Sequence, residues 1–239
     1  MLEDGRYWRG AQEDAIMQDE HRFIWDAMLR TIDVDLSGLK VLDVGCNRGG
    51  FLRLLADTCG IAQGWGYDRA SGAVADATSL SGDRPLTYVM AHSVPEGWTN
   101  FDVAFSHEVI YLIDDLEAHA DSVFDALLPG GVYFAVEGVH TASPMAAAWH
   151  AETAEALHLP PLRDLDEVVA TFHARGFAVS AARLQLGFVP ATGHMENYLQ
   201  WLTYYYDFKP LFRFERPGAS DPAYRGEGTG RVETHPASQ

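Results

Sequence analysis

The stretch Val41-Leu-Asp-Val-Gly-Cys-Asn-Arg-Gly-Gly-Phe51 constrains this chain more than any other: an apolar run stops at a glycine cluster, and helical spacing of Phe51, Leu52, Leu54 and Leu55 begins directly after it. With residues 40–44 as a short buried strand, the pattern predicts strand, sharp turn over 45–50, and helix. Gly45 and Gly49 permit unusual dihedrals and put no side chain in the way of a ligand, while the helix N-terminus offers unpaired N–H groups and positive potential. Many α/β proteins use such a turn only to join two elements, so a second feature is needed. Asp68 supplies it by ending the second predicted strand, where a carboxylate can accept two hydrogen bonds from a ribose diol. Together the two features predict a nucleoside site.

The same alternation continues through predicted strands at residues 63–67, 86–90, 101–105 and 132–136, with a helix over about 116–127. Strands that alternate with helices favour a parallel sheet covered on both faces, because a crossover must return the chain before the next parallel strand begins. Before the first strand, Ile16, Phe23, Ile24, Ala27 and Met28 recur at helical spacing and predict a helix or helix pair as a lid. After Pro144 an Ala-rich segment runs to Leu157; Asp164 is then placed to cap a helix with Glu167 reaching back to it, and Gly176 to end that helix. Residues 179–188 and 211–214 read as two more strands around an aromatic helix at 195–206. The expected fold is a Rossmann-like, seven-stranded, mostly parallel sheet with helices on both faces and an N-terminal helical cap. One domain is expected over 1–216, divided into a cap (1–37), a cofactor-binding core (38–137) and a substrate-side insertion with the last strands (138–216). Residues 217–239, rich in Gly, Pro, Ser and Thr, are expected to be a flexible tail.

Charge narrows the partners. Seventeen basic residues against 34 acidic ones give a formal net charge of −17, which repels phosphate backbones and anionic lipid surfaces, so neither nucleic acid nor a membrane is expected as a partner. No apolar run approaches the roughly 20 residues that span a bilayer, and the N-terminus lacks the apolar run of a signal peptide. The two cysteines, Cys46 and Cys59, form neither a disulfide framework nor a metal-spacing pattern. A cytoplasmic protein without a bound metal is the expectation.

The turn resembles the first motif of class I S-adenosylmethionine-dependent methyltransferases, [D/E]-x-G-x-G-x-G, written here Asp43-Val-Gly45-Cys-Asn47-Arg-Gly49 with Asn47 at the middle glycine. The order and spacing of elements extend the resemblance over residues 38–216, including Phe101-Asp-Val-Ala-Phe-Ser at the fourth strand and Leu128-Pro-Gly-Gly131 before the fifth. It implies S-adenosyl-L-methionine as cofactor, with Asp43 and Gly45 beside its methionine part, Asn47 and Gly49 in the binding turn, and Asp68 on the ribose. Ala91 and His92 would border adenine, and Ser106 and His107 the methionine amino group and sulfonium. The implied reaction is methyl transfer to a small-molecule acceptor.

A sulfonium already activates its methyl group, so such an enzyme must mainly hold an electron-rich atom in line and exclude water. Where the acceptor carries a proton, a neutral histidine suits its removal. His107 and His140 follow the fourth and fifth strands and are the catalytic candidates, with Tyr111 beside them. Glu108, Glu137 and Trp149, with Tyr7 and Trp8 from the N-terminal segment, are the candidate substrate contacts. Each also has an ordinary structural use, as cap, core ring or loop hydrogen bond. Trp201 and residues 204–206 are further candidates for an aromatic wall over the substrate, although a stripe at helical spacing more often serves a core or homodimer contact. Two other readings use the same site: a cyclase or lyase releasing methylthioadenosine, and a non-catalytic nucleoside-binding module.

Overall fold

The strand-forming runs of the sequence come together in one sheet. The computed structural model describes residues 11–189 and 197–218, with side chains from His21 onward; Tyr7, Trp8, part of the segment before Asn197, and everything past Gly218 lie outside the described residues. In chain order the elements are α1 (Ala11–Thr31), β1 (Lys40–Val44), α2 (Gly50–Thr58), β2 (Gln63–Asp68), α3 (Ser71–Leu80), β3 (Leu86–Met90), β4 (Phe101–His107), a 3-10 turn (Ile110–Leu112) and α4 (Leu116–Ala126). There follow β5 (Leu127–Val136), α5 (Pro144–Leu157), α6 (Leu165–Arg175), β6 (Ala178–Arg183), α7 (Tyr198–Asp207) and β7 (Pro210–Glu215).

The seven strands form one sheet in the order β3-β2-β1-β4-β5-β7-β6. Pairings from β3 to β5 are parallel, and β7 is antiparallel to both β5 and β6, so β7 alone runs against the rest. Successive strand residues point to opposite faces. Val41, Val103, Phe105, Val132 and Phe134 therefore pack with α1 and α2, while Leu42, Ala104, Tyr133, Phe212 and Phe214 pack with α4 and α6. The expected cap helix also serves the core: Ala27 and Met28 of α1 are fully buried on the first face.

Two local expectations change. The predicted strand over 179–188 leaves the sheet after Arg183, because the next residues are held by the end of α1. Gln185 N–H donates to Thr31 Oγ1 (2.9 Å), Arg30 Nε donates to the Gln185 carbonyl (3.0 Å), and Leu184 and Leu186 enter the α1-side core. At α6, Asp164 does cap the helix, accepting from Asp166 N–H at 2.8 Å, but Glu167 pairs with Arg163 (3.5 Å) instead of returning to the cap.

On the second face His119 is buried between aromatic rings, its Nε2 3.3 Å from the Tyr133 hydroxyl, which lies 2.6 Å from Ser106 Oγ. Burial, and then the nearby Arg163 charge, lower its pKa to about 4. Between about pH 6.5 and 4 the unfolded chain then binds a proton that the folded chain does not, so stability falls as pH drops through that window. His119→Gln is expected to flatten the acid side of the stability profile by up to about 1.4 kcal/mol per pH unit, measured by urea denaturation at pH 7, 6 and 5.

Candidate active site

The strand order reverses between β1 and β4, so their C-terminal ends open a crevice. The turn after β1 fills its floor. Gly45, Asn47 and Gly49 have φ of 70°, 46° and 70°, an alternation of left-handed residues that keeps the chain tight enough to start α2 at Gly50. Asparagine is among the few L residues that adopt this conformation at modest cost, which is why Asn47 replaces a glycine here. A Cβ on Gly45 would lie 2.6 Å from Val109 Cγ2, and one on Gly49 would strike the phenol of Tyr88, whose hydroxyl donates to the Gly49 carbonyl at 3.2 Å. The N–H groups of Gly45 and Cys46 both donate to the Tyr67 carbonyl at 3.0 Å. Asp68 joins the same assembly, its Oδ2 accepting from Asn47 N–H (2.9 Å) and its Oδ1 from Ala70 N–H (2.8 Å). Each carboxylate oxygen keeps a further lone pair for a ligand.

A cavity of about 940 Å³ opens above this turn. One end is lined by Asp43, Gly45, Asn47, Asp68, Ala91 and His92. Burial, and then the charge of Asp68, push the Asp43 carboxyl well above the usual range; burial also raises Asp68 despite its backbone hydrogen bonds. Two desolvated carboxyls of like charge favour a ligand that brings positive charge, and the vicinal lone pairs of Asp68 suit a diol. A cationic nucleoside meets both demands.

The other end is built from α1, α5, α7 and the segment after β4. His107, the last residue of β4, has both ring nitrogens shielded and without a hydrogen-bond partner among the described residues. His21 of α1 packs edge-on against it, with ring centroids 4.4 Å apart. Burial lowers the pKa of His21 to about 4 and holds that of His107 well below its usual value, so both rings are neutral near pH 7. Beside them Glu108, at φ 56°, forms an ion pair with Lys209 and accepts from Tyr204 Oη (3.1 Å) and Gly138 N–H (3.1 Å). Glu137 accepts from Tyr111 and Val139 N–H; burial, then the charge of Glu108, raise its pKa well above normal, so it keeps a proton. Burial alone would raise Glu108 too, but Lys209 and the hydrogen bonds overturn this and keep it ionised.

The cavity thus brings together Asp43, Gly45, Asn47, Asp68, Ala91, His92, His107, Glu108, Tyr111 and Trp149 of the residues singled out from the sequence. Gly49 stands behind Tyr88. Ser106 is turned to the opposite face, toward Tyr133, because successive residues of β4 alternate and His107 takes the cavity side. Glu137 lies beneath the lining, and His140 is placed apart from it: the chain dips inward after β5, and His140 Nε2 sits 2.8 Å from the Phe208 carbonyl. Sequence reasoning missed His21 and Lys209. His21 stands four residues before Trp25 on one face of α1, the only signal that pointed to it; Lys209 lies 101 residues from its partner and gave none.

A family model described as a methyltransferase domain matches residues 9–182. No curated protein matches the sequence. Among solved structures, a chain of the complex between the Haloferax volcanii Trm112 methyltransferase activator and a methyltransferase is 19% identical, with a TM-score of 0.75 over 87% of this chain and 95% of that one. An S-adenosylmethionine-dependent methyltransferase from Mesorhizobium loti is 20% identical, with a TM-score of 0.66 over 83% and 100%. Phosphoethanolamine N-methyltransferase 2 of Haemonchus contortus, solved with S-adenosyl-L-methionine, is 19% identical, with a TM-score of 0.58 over 82% and 52%.

The turn geometry sets an order of tolerance. Asn47→Gly is expected to change stability by less than about 0.5 kcal/mol, Asn47→Val to cost about 1–2 kcal/mol, and Gly45→Ala to cost at least as much because strain and contact add. Urea denaturation of the three variants checks this. Lys209→Met, which strands the buried Glu108 charge, is expected to cost about 3–5 kcal/mol, with much of the loss recovered in the double variant Lys209→Met/Glu108→Gln.

Proposed function

Because the chain belongs to the methyltransferase-domain family and uses S-adenosylmethionine as its cofactor, we propose that it methylates a small-molecule acceptor held at the histidine end of its cavity. One observation carries the reading: a single continuous cavity runs from the glycine turn and its two carboxyls to a lobe walled by Trp25, Trp149 and Trp201. At about 940 Å³ it is near the top of the roughly 300–1,000 Å³ range of small-molecule pockets, which leaves room for a cofactor and an acceptor side by side. Among the described residues no helix is long and apolar enough to cross a membrane.

Bound S-adenosylmethionine supplies a methyl group on a sulfonium, open to a lone pair placed in line with it. The residues of this chain hold and shield. Asp68, oriented by the N–H groups of Asn47 and Ala70, would hold the ribose hydroxyls. Asp43 would meet the positive charge, whose approach favours its ionised form. Ala91 and His92, at the same end of the cavity, would border the base. His107, neutral and unpartnered, offers a ring nitrogen to a proton on the acceptor atom, and the walls from α1, α5 and α7 keep water out.

Incubation with the cofactor and a panel of small acceptors is expected to yield S-adenosylhomocysteine only when an acceptor is present. Methylthioadenosine from the cofactor alone would instead indicate cyclisation or lysis. Asp68→Ala is expected to weaken cofactor binding at least about tenfold in calorimetry while leaving the far-ultraviolet circular dichroism spectrum unchanged. An unchanged affinity would remove Asp68 from the ribose role.

A further inference from the structure

The histidine end of the cavity carries more information than its size. His107 presents two shielded ring nitrogens with no partner among the described residues, and His21 places a second imidazole against it at 4.4 Å. A buried polar group without a partner costs free energy until a ligand satisfies it. A neutral imidazole has one nitrogen that donates and one that accepts, so two of them side by side match a group that can do both. A hydroxyl is the smallest such group; a ketone only accepts, and an ammonium only donates.

The surrounding charges point the same way. Beside the imidazoles the charged side chains are Glu108 and Lys209, which pair with each other, with Tyr204 on the same carboxylate oxygen, while Asp114 and Asp115 after the 3-10 turn line the cavity as exposed residues. The pair is closed on itself, and Glu137 beside it is uncharged, so an anionic acceptor finds no free counter-charge. An ammonium, which only donates, leaves the donor nitrogen of each neutral imidazole unmet. Around the imidazoles flat rings stand among the aliphatic side chains: Trp25 lies 6.0 Å from His21, Trp149 meets Tyr111 edge-on at 6.0 Å, and Trp201 lies 5.8 Å from Tyr205. Ring faces and edges at such spacings receive another aromatic ring well.

We infer that His21 and His107 together form a recognition site for the hydroxyl of an uncharged aromatic acceptor, which assigns oxygen as the atom to be methylated. The inference rests on the methyltransferase reading above and deepens it. His21 is thereby an acceptor-contacting residue, contributed by the N-terminal helix rather than by the sheet.

The test uses the full chain saturated with S-adenosylhomocysteine, so that nothing turns over, and three probes: 2-naphthol, its methyl ether 2-methoxynaphthalene, and the anion 2-naphthoate. Calorimetry is expected to show 2-naphthol binding at least about tenfold more tightly than either of the others, the range of one well-made hydrogen bond to a buried site. In protein labelled with ¹⁵N-histidine, ring-nitrogen resonances lost in His21→Leu and in His107→Leu should move with 2-naphthol and stay in place with the ether. Each variant should bring the naphthol-to-ether ratio to within about threefold of one while S-adenosylhomocysteine affinity is retained. Equal binding of naphthol and ether by the unsubstituted protein, tighter binding of naphthoate, or unmoved histidine resonances would each overturn the inference, and none needs a variant that folds. Those failures leave the cofactor reading standing; failure to bind S-adenosylhomocysteine at all would instead bring down the reading on which the inference rests.

Discussion

The site exists because β1 and β4 lie side by side although two helices and two further strands separate them in the chain. Strands added before that point extend the sheet one way and strands added after it extend the other, so no crossover helix covers their shared C-terminal edge. The sheet delivers its cavity-lining residues to this edge. The turn at Gly45 follows β1, Asp68 ends β2, Ala91 follows β3, and His107 ends β4. The helices that close the opening, α1, α5 and α7, come from the parts of the chain outside the repeated strand-and-helix units.

Local signals told which residues face the crevice, and distance in the chain decided what stayed hidden. β1 falls on Lys40–Val44 as expected, since five apolar-rich residues halted by glycine have little other choice. Asn47 looked like a departure from a glycine pattern, and the backbone explains it, because what the turn requires is a left-handed residue. The end of β6 was misjudged for a tertiary reason: apolar alternation continues past Arg183, but Thr31 and Arg30 of α1 draw Gln185 away from the sheet. Ser106 and His107 were expected on the same side, and the two-residue period of a strand separates them. The ion pair of Glu108 with Lys209 joins residues a hundred positions apart, which no periodicity or motif encodes.

The two ends of the cavity hold charge in opposite ways. At the glycine turn Asp43 and Asp68 are close and desolvated, with Arg69 offsetting only part of their charge. At the histidine end Glu137 keeps its proton, Glu108 takes Lys209 and Tyr204, and the imidazoles remain neutral. One end is short of positive charge and the other has settled its own account. The same elongated space therefore distinguishes a charged ligand from an uncharged one by position alone, without any gate between them.

The placement of β7 has a consequence for how such a chain comes into being. Among the described residues it is the last strand in sequence, yet it lies between β5 and β6 and is the neighbour of both. During synthesis from the N-terminus, β6 has no strand to pair with until residues 210–215 have left the ribosome. Lys209 precedes that strand directly, so Glu108 waits while 101 further residues are made for the cation that lets it be buried with its charge. The glycine turn and its carboxyls can be in place well before this, whereas the histidine end is complete only once α7 and Lys209 have emerged.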